Sequence, residues 1–135
     1  MGDPVESAPD VPLRLSVLAG RLAICRLDAD SQLPAWATAA PLFSVTGTAD
    51  ELSVVCAEER VPVGTVCERG WRAMKVEGPL EFGLTGVLFS VAAPLAESEV
   101  GILAIATYET DYVLVQEAQL DLAARALRER GHEII

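Results

Sequence analysis

Short apolar runs divided by turn residues fill the first half of the chain. Residues 13–19 and 21–27 are rich in β-formers and meet at Gly20. Residues 42–48 (LFSVTGT) and 52–57 (LSVVCA) flank a turn of Ala49, Asp50 and Glu51. Each run is long enough for a strand and is bounded by turn residues. Between the pairs, residues 34–40 hold Trp36 and have room for a single helical turn. The stretch around Pro62 and Gly64 is irregular. Residues 69–76 (RGWRAMKV) predict a strand that stops at Gly78-Pro79.

The second half carries a helical period. Leu84, Val87, Leu88, Val91 and Leu95 recur on one face. Thr85 is placed to cap that helix, and Pro94 is expected to kink it or end it early. Residues 102–107 (ILAIAT) and 112–115 (YVLV) predict strands around a tight turn. Residues 117–130 predict the most regular helix. Glu117 and Asp121 near its start and Arg125, Arg128 and Arg130 near its end complement the helix dipole. Gly131 supplies the left-handed stop.

The two halves echo each other. Residues 42–55 laid over residues 102–115 match strand on strand and turn on turn, with Glu51 on Asp111 and Pro34 on Pro94. The second copy runs strand, helix, strand, strand, helix, tail strand, which is the split βαβ, or ferredoxin-like, order. The first has similar strands and stunted helices. The expected class is α+β, with two ferredoxin-like units in tandem over residues 12–68 and 69–135. Residues 69–76 could close the first unit or open the second, and the second is favoured. Residues 1–11 are acidic and proline-rich with no apolar stretch, so they are expected to form a disordered arm and not a signal peptide.

Composition narrows the function. Half of the 135 residues are hydrophobic, enough for a packed core. The net charge of −10 disfavours nucleic acid and anionic membrane surfaces, where cations supply the affinity. It serves solubility, and gives a mild preference for a cationic or zwitterionic ligand. Cys25, Cys56 and Cys67 form no CxxC pair and are odd in number, so they read as reduced, packing thiols in a cytoplasmic protein. His132 stands alone and is expected to be solvated on the last strand. No metal-ligand spacing, cofactor-binding glycine motif or nucleophile–base pair is present. The chain therefore reads as non-catalytic, with no cofactor. Trp36 and Trp71 read as core or interface anchors.

Two stretches, residues 76–94 (VEGPLEFGLTGVLFSVAAP) and 104–115 (AIATYETDYVLV), together with RGWRAMKV, resemble the small bacterial tandem ACT-domain proteins. Those proteins are related to the ACT pairs of the CASTOR arginine sensors. The resemblance implies a regulatory module that binds an amino acid at an interface between ACT units. It places the ligand at Leu84, Thr85, Gly86 and Val87, and at Thr107, Tyr108 and Asp111. The chain departs from the family pattern at Glu99, where a glycine is usual, and at Ala106, where a serine is usual.

The chemistry of those positions is simple. The first turn of a helix presents amides with no internal partner, which suit a carboxylate. Gly86 leaves them accessible, or serves only packing. Asp111 could take an ammonium or guanidinium in a charge-assisted bond, or hydrogen-bond its own turn. Tyr108 could wall the ligand or make a plain hairpin contact. Thr107 could hydrogen-bond the ligand or serve only as a β-branched strand residue. The competing reading is an ACT module that keeps the shape for protein interaction and has lost its ligand. Unpaired strand edges make a homodimer the expected assembly.

Overall fold

The alternating apolar positions fold, among the described residues, into eight strands and two α-helices. The computed structural model describes residues 12–39, 41–77 and 86–135. In chain order the strands are β1 (Arg14–Val17), β2 (Leu22–Leu27), β3 (Ser44–Gly47), β4 (Leu52–Ala57) and β5 (Cys67–Val76). After these come α1 (Val87–Glu97), β6 (Leu103–Ala106), β7 (Asp111–Gln116), α2 (Leu120–Glu129) and β8 (Glu133–Ile134). Short 3-10 turns lie at Ala35–Thr38, Glu58–Arg60 and Glu117–Gln119. The fold is α+β, with ferredoxin-like units, as the sequence pattern implies. The expected arm at residues 1–11 lies outside the described residues.

Contacts divide the chain into two units, residues 18–73 and residues 12–17 together with 74–135. This differs from the expected division at 68/69 in two ways. First, β5 spans the boundary, so the run 69–76 both closes one unit and opens the other. Second, β1 joins the later unit. Leu15 pairs with Val76 antiparallel on one side and with Ile134 parallel on the other. The reason is its alternation: Leu13 and Leu15 are buried in the core of that unit, while Arg14 points to solvent.

In the 18–73 unit the strand order is β3-β4-β2-β5, the ferredoxin-like order. Both helices of the pattern are reduced to 3-10 turns. Pro34 and Pro41 bracket the first, and Pro62 closes off the second. Small residues follow from the missing helices: the core holds Ala23, Cys25, Ala37, Val54, Cys56 and Val61, with Trp36 half-buried against it.

The other unit has the order β8-β1-β5-β7-β6 with α1 and α2. Leu15, Met74, Val76, Val87, Val91, Leu95, Val113, Val115 and Leu127 form its core. The repeat is real, but its register is one position shorter than the sequence overlay. Thr48 matches Thr107, each donating its amide to the carbonyl three residues on. Val54 matches Val113, and β4 and β7 share one burial pattern. Glu51 therefore falls on Thr110 and not on Asp111. The overlay slipped because runs of Val, Leu and Ile match almost as well one residue out of step. In a strand that slip exchanges the two faces.

Pro94 is buried inside α1, and the helix continues past it to Glu97. The expected early end does not occur. Proline cannot donate to the carbonyl of Ser90, one turn back. His132 donates instead, through Nε2–H, at 3.0 Å. Its Nδ1 accepts the amide of Leu13 at 3.1 Å. His132 is 4% exposed, so it is a buried bridge and not the solvated residue expected. One neutral imidazole thus satisfies β1 and α1 together.

Both helices end in the same hydrogen-bond pattern. In α2 the amides of Gly131 and His132 reach back to Arg128 and Leu127, with Gly131 at φ +91°. In α1 the amides of Glu99 and Val100 reach back to Ala96 and Leu95. The left-handed position there is Glu99, at φ +60°. The usual glycine is absent, yet the Schellman turn is kept against backbone strain.

Two outcomes follow. His132→Leu strands the Leu13 amide and the Ser90 carbonyl, each costing about 1–3 kcal/mol. Denaturant unfolding should show an unfolding free energy lowered by at least about 1–3 kcal/mol, and an unchanged midpoint would refute the bridge. Glu99→Gly removes strain of about 1–2 kcal/mol, partly offset by a freer unfolded chain. Calorimetry should show a melting temperature raised by about 2–4 °C.

Candidate functional site

The turn between β6 and β7 is built by two threonines. Thr107 donates its amide and its hydroxyl to the carbonyl of Thr110, at 2.8 and 2.9 Å. The Thr110 amide returns to the Thr107 hydroxyl at 3.2 Å. Thr110 is buried, and its own hydroxyl donates to the carbonyl of Val76 at 2.5 Å. That bond ties the turn to the last residue of β5, from which the chain leaves toward α1. The sequence reading missed Thr110; the T-x-x-T spacing of Thr107 and Thr110 was the available signal.

With the turn held in this way, Asp111 is not needed to close it. It opens β7, is half-buried, and its carboxylate accepts no hydrogen bond among the described residues. Thr107 uses its hydroxyl inside the turn, donating to the Thr110 carbonyl and accepting the Thr110 amide. Tyr108 stands at the tip, 81% exposed. Ala106 faces Asp111 across the ladder, where a serine would have brought a hydroxyl.

Gly86 precedes α1 at φ +84°, is exposed, and makes no side-chain cap. Its carbonyl accepts the Ser90 amide at 2.8 Å. Helix geometry therefore leaves the amides of Val87, Leu88 and Phe89 without an acceptor inside α1. Val87 sends its side chain into the core cluster that also holds Val76 and Val113. The helix start, through Val87, and the turn, through the bond of Thr110 to Val76, are thus both tied to residues of that core. Only the backbone of Val87 can serve a ligand. Leu84 and Thr85, including the expected cap, lie outside the described residues.

Elsewhere the candidate chemistry is inert. Cys25 and Cys56 are buried and Cys67 is half-buried, all as free thiols. Burial first, and then the neighbouring Cys56 and Cys67, together push the Cys25 thiol up to about 12. Burial also raises Cys56. A raised thiol pKa disfavours the thiolate that a nucleophile needs. Among the described residues, no group of three or more His, Cys, Asp or Glu is placed to hold a metal ion. No described helix is long and apolar enough to cross a membrane.

Comparison with known proteins bears on the fold and the family. The family model for the ACT domain matches residues 66–129, and a second model, of an N-terminal domain, matches residues 20–64. The cytosolic arginine sensor for mTORC1 subunit 1 of Bos taurus is 33% identical over 96 residues. That match covers 63% of this chain but only 29% of the sensor, so the chain spans under a third of that relative's length. A solved protein from Agobacterium tumefaciens is 36% identical, with TM-score 0.89 and 93% of both chains covered. The regulatory subunit of aspartate kinase from Thermus thermophilus shares the fold at 12% identity, with TM-score 0.62 over 86% of this chain and 96% of that one. The chain contains an ACT domain over residues 66–129 and is related to the cytosolic arginine sensors.

Proposed function

We propose that the chain is a non-catalytic regulatory module that binds an amino acid at the start of α1 and the 107–111 turn. The observation that carries this reading is the turn itself. Thr107 and Thr110 make its hydrogen bonds, and Asp111 is left half-buried with a carboxylate that no described residue engages. Burying part of a charge is unfavourable unless a partner arrives. The helix start supplies positive partial charge and amides that have no acceptor within α1. A zwitterion fits that polarity: its carboxylate meets the amides of Val87 and Leu88, and its ammonium or basic side chain meets Asp111. A phosphate ester would meet Asp111 with the wrong sign.

The relationship to an arginine sensor makes a basic amino acid the first ligand to try. The reading includes cytoplasmic work and a homodimer that acts on a regulated protein. β3 lies at the end of its sheet order with an exposed backbone edge, which suits pairing with a second copy. Ala106, which brings no hydroxyl, favours the second reading: an interaction module that no longer binds a ligand.

Asp111→Asn keeps the shape and removes the charge. Isothermal titration with arginine, and then with the other amino acids, should show binding weakened by about 1.5–3 kcal/mol, which is about 10–150-fold. The melting temperature of the ligand-free variant should stay within a degree or so of the parent, since Asp111 holds no bond in the turn. Equal binding by both proteins moves the site elsewhere. Unfolding of the variant makes Asp111 a turn residue.

A further inference from the structure

We infer that the 18–73 unit carries a second small-molecule site, which takes an apolar α-amino acid as its zwitterion. The inference does not rest on the reading of Asp111. The site is a cavity of about 220 Å³ whose lining residues all belong to this unit. It lies at the far end of β4 from the Thr48–Glu51 turn, since Ala57, the last residue of β4, forms part of its wall. The 107–111 turn has its counterpart at the opposite end of the unit, so this is a different location from the one the repeat would suggest.

The cavity follows from the reduced helices. Where a ferredoxin-like unit would continue into a helix after its third strand, this chain makes only the Glu58–Arg60 turn. Leu18, Leu22, Leu42, Ala57 and Ala73 supply an apolar wall, two of them as small as alanine. Gly20 sits at the lip at φ +86°, and a Cβ there would meet nothing within 4 Å. The volume is below the roughly 300–1,000 Å³ of sites for drug-sized ligands, which suits a single amino acid.

The polar groups gather at one rim. Arg21 donates Nε–H to Glu58 Oε2 at 3.2 Å, and Glu58 Oε1 accepts the Gly70 amide at 2.7 Å. Both oxygens of Glu58 are therefore engaged, and the carboxylate fixes the guanidinium at the cavity edge. Glu59, the next residue of the turn, is exposed and lines the same cavity. Arg21 is the counter-ion for a carboxylate and Glu59 for an ammonium. The lining carries one positive and two negative charges, so a simple carboxylate adds to an existing excess of negative charge. A zwitterion does not. An amino acid bears both charges on one carbon and directs its side chain away from them, which matches a charged rim above an apolar wall.

The test is a titration of the isotope-labelled full chain, followed by amide NMR shifts, with three probes: L-leucine, 4-methylpentanoate and 3-methylbutylamine. The last two keep the leucine side chain and lose one charge each. Leucine should give saturable shifts at amides of residues 18–22 and 57–59. Each analogue should bind at least about tenfold more weakly, the effect of losing one charge-assisted bond. Arg21→Gln should weaken leucine by a similar factor. Asp111→Asn should leave these shifts unchanged, which separates this site from the one proposed above. Leucine shifts confined to the 107–111 turn, or no saturable shifts at all, would overturn the inference. So would 4-methylpentanoate binding as well as leucine, because the rim would then not read a zwitterion. The probe series on the unaltered chain decides the question if Arg21→Gln does not fold.

Discussion

Pro94 cannot donate to the carbonyl of Ser90, and the later unit closes around the group that does. His132 reaches that carbonyl with Nε2 and takes the Leu13 amide on Nδ1. The imidazole hands β1 to the sheet that contains β5 and β8, and it holds α1 against them. A buried amide or carbonyl without a partner costs about as much as a lost hydrogen bond. One ring therefore removes two such costs. The left-handed Glu99 fixes the other end of α1, at the expense of backbone strain. With β5, α1 and β7 held in this way, the helix start and the 107–111 turn share one core.

That placement matters because neither half of the candidate site is selective alone. Open helix amides accept many anions, and a single carboxylate accepts many cations. Set over one core, they would together suit a molecule with both charges, which is the reading proposed above. The threonine turn sharpens this. Hydroxyls of Thr107 and Thr110 do the work that an aspartate often does in a turn, so the Asp111 carboxylate is available for another partner. In the earlier unit the matched turn is closed by Thr48 in the same manner, but Leu52 stands in register with Asp111. The repeat kept the scaffold at both turns, but only the later one has a carboxylate at the position of Asp111.

Much of this was legible in the sequence. Strands β1 to β7 were placed within about two residues, α2 and its Gly131 stop were clear, and the stunted helices of the first unit showed in the single helical turn at residues 34–40 and the irregular stretch around Pro62 and Gly64. What escaped was long-range. No local pattern shows that residues 14–17 pair beside residues 133–134, because the partners lie at opposite ends of the chain. His132 read as solvated because its two backbone partners, Leu13 and Ser90, are remote in sequence. Pro94 read as a helix end because local rules cannot see a distant donor that satisfies Ser90. The repeat slipped by one residue because aliphatic runs carry little register information, whereas the threonines at its turns carry it well.

The claim that this chain binds an amino acid is tested most directly by its thermal stability. The full chain should be melted alone and with each of the twenty amino acids in excess. A ligand present at a hundred times its dissociation constant stabilises the folded state by about 2.7 kcal/mol. For a chain of this length that is a rise on the order of 5–10 °C. A rise of that size with at least one amino acid, growing with concentration, is the expected result. A melting temperature unchanged by all twenty would contradict the claim and leave the interaction module as the function.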